Sequence, residues 1–289
     1  MLYNPYRYFI IPSDNQYHIN HIDGKYSIKN KKQLIKDVFN KLAEIKKYRL
    51  TYKSKSYLIY YISEFKERYL LLKIGREKNR EIHREAEEDI DDVQILDYPY
   101  VYIIVDQEKQ ILLIEHSTQV FKSTEICTRI IQHFFQKFAS EYFYEIIMNP
   151  MLIEDKFWEA INTFDSLSEL EIKLESPNLF EGIKITTEFL NKIKEKYNNT
   201  ETKIKLKNTQ NSLTISRDNE ELESAIKYIR NGGGEWTITG KIDSKKDIAK
   251  SIEHLQLITC EDDIQLAFEN NSSVISTIFS KVKDDFNEN

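Results

Sequence analysis

Between Tyr48 and Ile74 three strand-like segments, Tyr48 to Lys53, Ser56 to Phe65 and Arg68 to Ile74, follow one another with only Ser54-Lys55 and Lys66-Glu67 between them. Each is dense in Tyr, Leu and Ile, which suit a pleated surface, and breaks this short admit hairpins but not the crossover that a parallel pair needs. The region predicts an antiparallel meander. A sheet with an apolar face needs a cover, and two helical stripes offer one. Leu34, Ile35, Val38, Phe39, Leu42 and Ile45 recur at helical spacing in a helix expected over about Lys31 to Lys47. Ile126, Ile130, Ile131, Phe134, Phe135 and Phe138 lie on one side of a second helix, with Ser123 as its expected N-cap. An opening apolar run, Tyr6 to Ile11, and a hairpin of Tyr100 to Val105 with Gln110 to Glu115 complete an α+β unit over residues 1–140. The charged insert Gly75 to Asp92 reads as an exposed loop or solvated helix.

The rhythm then changes to strands alternating with helices over residues 141–265. Strands are expected near Tyr142 to Met148, Glu169 to Leu174, Lys203 to Lys207 and Glu235 to Lys241, with Leu213 to Ser216 as a hairpin partner. Helices are expected near Glu154 to Phe164, Thr187 to Tyr197 and Asn219 to Arg230. Such alternation predicts helices packed on one mixed sheet, of which a ferredoxin-like arrangement is one form. Residues 266–289 read as an amphipathic tail helix with the stripe Val274, Ile275, Ile278, Phe279, Val282 and Phe286, which docks on its own chain or meets another subunit. The expected fold class is α+β in two domains.

Composition limits the function classes. With 7 Gly and 5 Pro in 289 residues, collagen-like, linker-like and Pro-rich architectures are excluded, and 40% hydrophobic residues suffice for a core. No apolar run approaches the roughly 20 residues of a membrane span. Two distant cysteines, Cys127 and Cys260, and an N-terminus without a secretory signal pattern point to a cytoplasmic location. No catalytic residue, metal site or cofactor is assigned.

The net charge of −6 argues against a generic nucleic-acid binder, but the charges are segregated. Lys25 to Lys55 holds eleven Lys or Arg against Asp37 and Glu44, a local net of +9. In it Lys32 and Lys36 fall on the outer face of the first helix, and Lys46, Lys47, Arg49, Tyr52, Lys53 and Lys55 follow, with Tyr48 among them. Cations there can neutralise phosphates while tyrosines stack on bases. Lys203, Lys205 and Lys207 form a second candidate, since period-two spacing sends all three to one sheet face; Glu171 and Glu175 share that alternation and can instead pair with them.

The acidic run Glu85, Glu87, Glu88, Asp89, Asp91 and Asp92 is the most catalytic-looking cluster, because carboxylates can hold Mg²⁺ for phosphodiester chemistry. A metal-dependent nuclease using these acids with Asp106 is therefore the enzymatic alternative; Glu64-Phe65-Lys66 and Glu108 supply fragments of a nuclease pattern. His18 and His21 read as a surface loop, and His116-Ser117 lacks the Gly-rich turn of a serine nucleophile. Gly232-Gly233-Gly234 follows a helix instead of preceding one, so it reads as a helix terminator and not a phosphate loop.

The order of segments resembles that of RexA-like phage-defence proteins, the family of the phage lambda exclusion protein. The likeness covers about residues 45–210: the strands Tyr57 to Glu64 and Arg68 to Ile74, the charged insert and Tyr98-Pro99 before the hairpin ending near Glu115. It continues through Asn149-Pro150-Met151-Leu152, Ile172-Lys173-Leu174-Glu175 with Pro177 and Phe180, and Lys203 to Lys207. The resemblance implies a cytoplasmic, non-enzymatic sensor of phage infection that recognises nucleic acid (DNA or RNA) or a nucleoprotein, acts as a homodimer and signals to a separate effector protein, in the membrane or outside it. A pure protein-interaction subunit is the remaining alternative.

Overall fold

The computed structural model describes residues 1–12, 31–85, 89–142, 144–176 and 183–285. The fold is α+β, built on two antiparallel sheets and a ribbon. In chain order the first part contains β1 (Leu2–Pro12), α1 (Lys31–Ile45), β2 (Lys47–Tyr52), β3 (Lys55–Phe65), β4 (Tyr69–Arg76), β5 (Lys78–Glu85), β6 (Ile90–Asp97), β7 (Tyr100–Asp106), β8 (Ile111–Glu115), α2 (Thr124–Ala139) and β9 (Tyr144–Pro150). The meander is found as expected: β2, β3, β4 and β7 are successive antiparallel neighbours. Its first two turns, at Lys53-Ser54 and Lys66-Glu67, have positive φ at both central residues (47° and 61°, 56° and 50°), the geometry that follows the twist of a two-residue hairpin. Lys46 is left-handed as well (φ 56°), which ends α1 before Lys47 and starts β2 there.

The large sheet runs β14-β1-β8-β7-β4-β3-β2, and β9 also pairs with β1. Thus β1 meets β8 on one side, and on the other both β9 (Tyr6↔Pro150 to Pro12↔Tyr144) and the short β14 (Ile258–Thr259). Strands from beyond residue 140 therefore complete the first sheet. Alternation along its strands makes two cores. Tyr6, Tyr8, Ile59, Leu72, Ile103 and Leu112 face α1 and α2, whose stripes match the expected ones apart from Ile45 and Ile126, which are exposed. Tyr3, Leu71, Ile104 and Leu113 face the C-terminal helices α6 (Ile264–Glu269) and α7 (Val274–Ser280). The tail stripe thus docks within its own chain: Ile275, Ile278, Phe279 and Val282 are buried, and the Phe279 ring stacks on Tyr69 at 5.3 Å. Phe286 lies outside the described residues. Of the two expected outcomes, docking on its own chain is the one found, because these side chains are core. Asp263 caps α6 by accepting from the amides of Gln265 and Leu266 at 2.9 and 3.1 Å. Asp263→Ala is expected to cost about 1 kcal/mol, read as a lower denaturation midpoint at unchanged slope.

The second part adds α3 (Lys156–Thr163), β10 (Ser166–Glu175), α4 (Lys184–Tyr197), β11 (Glu201–Lys207), α5 (Glu220–Tyr228), a π-type turn (Ile229–Gly233), β12 (Gly234–Ile242) and β13 (Lys245–Lys250). The sheet order is β11-β10-β12-β13, and the three helices bury Phe157, Trp158, Leu190 and Ile226 against Leu170, Ile172 and Trp236. All three pairings are antiparallel, so the expected mixed sheet is corrected: the helix between β10 and β11 returns the chain to the neighbouring strand in the opposite sense. Leu213 to Ser216 is irregular, held by a Leu213 amide bond to the Leu167 carbonyl at 2.7 Å, and β13 takes the edge position instead. Among the described residues no helix is long and apolar enough to cross a membrane.

The described residues of the charged insert are mostly strand, which corrects the expected loop or helix. β5 and β6 form a separate two-stranded ribbon from Lys78↔Asp97 to Glu85↔Ile90. One face is exposed and the other, with Ile82, Val93 and Ile95, only half-buried, which lets charged residues occupy most positions of both strands.

Candidate nucleic-acid interface

β2 is the outer strand of the large sheet, with β3 on one side only. The pleat divides its side chains. Tyr48, Leu50 and Tyr52 turn toward α2: Tyr48 lies edge-on to Phe134 at 5.0 Å, and Tyr52 lies 5.4 Å from His133. Lys47, Arg49 and Thr51 are exposed on the opposite face. Within β2 the expected interleaving is therefore corrected, since strand alternation sends Tyr48 and Tyr52 away from Lys47 and Arg49. The aromatic that accompanies Lys47 is Tyr60 of β3, its ring 5.6 Å below the ammonium.

Arg49 is engaged, donating to Ser56 Oγ at 2.8 Å and to Glu77 Oε2 at 2.6 Å. The hydrogen bond from Arg49 is the main reason that the Glu77 carboxyl titrates below its usual range. Lys53 sits in the β2–β3 turn with its ammonium 5.6 Å from the Tyr52 ring, and Lys55 follows it, both exposed. Lys46, at the α1–β2 junction, is exposed too. Lys36 borders a cleft of about 340 Å³ whose wall includes Phe39, Tyr61, Glu64 and Glu67, so carboxylates share that space. The Tyr61 hydroxyl, pushed up to about 12 by burial and by Glu64, remains a donor there, 3.4 Å from Glu64 Oε2. Lys32 belongs to α1, but its side chain, like Lys25 and Lys29, lies outside the described residues.

Lys36, Lys46, Lys47, Lys53 and Lys55 form no ion pair among the described residues, whereas nearby Lys41 pairs with Glu141 at 3.1 Å and Arg49 with Glu77. The β11 ladder is the opposite case. Lys203 meets Glu171 at 2.7 Å, Lys205 meets Glu169 at 2.8 Å, and Lys207 reaches Glu169 at 4.0 Å. The β10–β11 register sets Glu171 beside Lys205 and Glu169 beside Lys207, which places a carboxylate row against the lysine row. Hydrogen bonding by Lys205 also holds the Glu169 carboxyl low.

Among the described residues, Asp106 is not brought together with the acids of the charged insert. Asp106 is buried and accepts from Arg68 Nε and Nη2 at 3.0 and 2.6 Å and from the amides of Glu108 and Lys109 at 3.0 Å each. Those four bonds make it the anchor of the β7–β8 turn. It stands at the end of β7 remote from the ribbon, so strand length alone puts roughly 20 Å between Asp106 and the ribbon's root. Glu87 and Glu88, and likewise His18 and His21, lie outside the described residues. His116 Nδ1 is 3.3 Å from Asn4 Oδ1. Both cysteines are buried and free, with burial pushing each thiol up and away from the reactive thiolate.

One junction escaped sequence reasoning. Gly232 (φ 90°) ends the π-type turn, as a helix terminator should, but its conformation also seats the turn on β1. The fully buried Arg7 donates through Nε to the Asn231 carbonyl at 2.7 Å and through Nη2 to Asp284 at 2.5 Å. Arg230 pairs with Asp285, and Asn231 Nδ2 donates to the same carboxylate at 2.9 Å. The only visible signals were one cation inside the apolar run Tyr6 to Ile11 and the acid pair Asp284-Asp285. No family model matches the chain, and neither a curated protein nor a solved structure matches it.

Proposed function

We propose that this chain is a non-catalytic nucleic-acid-binding protein of a bacterial defence or regulatory system, contacting DNA or RNA through the β2 edge and the β2–β3 turn. The observation that carries the reading is the exposure of Lys46, Lys47, Lys53 and Lys55 without carboxylate partners among the described residues. Phosphate binding by a lysine gains most where no internal counter-ion has to be displaced, and each phosphate contact releases condensed cations. The ladder of Lys203, Lys205 and Lys207 is a weaker anion surface on the same argument, because Glu169 and Glu171 already neutralise it. The defence setting in the cytoplasm, a homodimer and a partner effector are carried by the resemblance over residues 45–210.

The test is a binding assay with labelled DNA and RNA, with and without Mg²⁺, scoring retention and cleavage together. A variant with Lys46, Lys47, Lys53 and Lys55 changed to Glu is expected to bind at least tenfold more weakly. Every phosphate that the variant no longer neutralises should also lower the slope of log affinity against log salt by about 0.9. Glu substitutions at Lys203, Lys205 and Lys207 should do less. Equal affinity of the quadruple variant and the parent overturns the reading, and Mg²⁺-dependent cleavage transfers it to the nuclease alternative.

A further inference from the structure

The ribbon β5–β6 separates its charges by face. Its register places Lys78, Arg80, Ile82 and Arg84 opposite Asp97, Ile95, Val93 and Asp91, so every cation of β5 lies on one side together with Asp91 and Asp97. The other side carries Glu81, His83 and Glu85 from β5 against Gln94, Asp92 and Ile90 from β6. It holds three carboxylates, an imidazole and no cation. Like charges on one strand face repel, and on this face only the His83 imidazole and the Gln94 amide stand against them.

Three of these groups also converge. Glu81 and His83 are two residues apart on one strand, and Asp92 is the direct cross-strand partner of His83. One ligand atom from each lies within 4.8 Å of the other two, with His83 Nδ1 and Asp92 Oδ1 2.6 Å apart. A tetrahedral metal with bonds of about 2.0–2.2 Å sets its ligands about 3.4 Å from one another. The set therefore needs movements of about an ångström, open to exposed side chains through small χ rotations. Gln94 Nε2 donates to Glu81 Oε2 at 2.7 Å and leaves the other carboxylate oxygen for a metal.

We propose that Glu81, His83 and Asp92 bind a divalent first-row cation of the zinc type, joining β5 to β6. One imidazole nitrogen and two carboxylates suit Zn²⁺ better than Mg²⁺ or Ca²⁺, which prefer all-oxygen shells, and water completes an open site of this kind. The structural return is specific. A two-stranded ribbon is marginal by itself, and this one packs almost wholly on itself. A ligand shared across the strands cross-links β5 to β6 and opposes their fraying.

The experiment is calorimetric titration of zinc chloride into the full-length, chelator-treated protein, paired with hydrogen exchange over residues 78–97. Saturable binding of one equivalent, at least tenfold weaker in both His83→Ala and Asp92→Asn, is the expected result. Affinity should be kept in Arg84→Ala, on the opposite face, and in the His18→Ala/His21→Ala double variant. Zinc should slow exchange in the ribbon of the parent and not in His83→Ala. Absence of saturable binding overturns the assignment; so does affinity unchanged by His83→Ala, or lost with His18 and His21. Circular dichroism of each variant confirms that the fold persists, which is expected of exposed ribbon positions.

Discussion

Asp284→Asn is expected to lower folding stability by about 3–5 kcal/mol, far more than a solvent-exposed acid ordinarily contributes. Arg7 is wholly inaccessible to solvent, and its guanidinium faces Asp284 at 2.5 Å and the carbonyls of Asn231 and Lys109 at 2.7 and 3.3 Å. Burial pushes the guanidinium pKa down, and the Asp284 charge opposes that shift. Removing the carboxylate leaves a desolvated cation without the anion that faces it, a cost well above the net value of the pair. Arg7→Met alone should be similarly severe because it removes the cation that faces the buried Asp284 carboxylate, whereas Arg7→Met with Asp284→Leu should lose less than the two single effects added. Urea denaturation of the three variants measures the cycle. Strictly additive effects would show that the two groups are not coupled. The exposed pair Lys41–Glu141 provides the contrast, and Glu141→Gln should change stability by less than about 1 kcal/mol.

The second large effect is expected at Gly234. A Cβ there would lie 2.0 Å from the Lys173 carbonyl oxygen, 3.0 Å from its carbon and 3.2 Å from the Leu174 Cα. All three are backbone atoms of β10, and β10–β12 is the central pairing of the small sheet, so no side chain can swing aside to admit a methyl. Gly234→Ala should part the strands at the Leu174↔Gly234 position and cost about 3 kcal/mol. Gly75→Ala is the internal control: its nearest neighbour would be 3.7 Å away and its φ is not positive. That substitution should stay within about 0.5 kcal/mol of the parent. Thermal or urea midpoints compare the two directly, and a Gly234→Ala variant as mild as Gly75→Ala would remove the steric argument.

The elements read most directly from sequence share one property: their signal is local. The meander β2–β3–β4 follows from strand-forming runs separated by pairs of residues, α1 and α2 from stripes at helical spacing, and the end of α5 from Gly232. The ribbon was hidden for a physical reason. Strands with neither face fully buried and, of their apolar side chains, only Ile82, Val93 and Ile95 half-covered carry a weak apolar alternation among many charges, so Gly75 to Asp92 reads from sequence as a charged loop or helix. The β9 and β14 pairings with β1 were hidden differently, because a strand's composition does not name its partner.

The candidate interface divides along the same line. That Lys46, Lys47, Lys53 and Lys55 are exposed cations was legible, since charged side chains in a short strand and its turn have nowhere else to go. That Tyr48 and Tyr52 leave them for the α2 face, and that the Lys203 ladder is met by Glu169 and Glu171, depends on which elements lie alongside. Periodicity and turn chemistry are properties of neighbouring residues, and by itself the sequence determined the α+β class, the meander, the helix stripes and the segregation of charge. Strand partners, the Arg7–Asp284 junction and the choice between free and neutralised lysines were decided only by the tertiary structure, because pairing and charge compensation join residues that are distant along the chain.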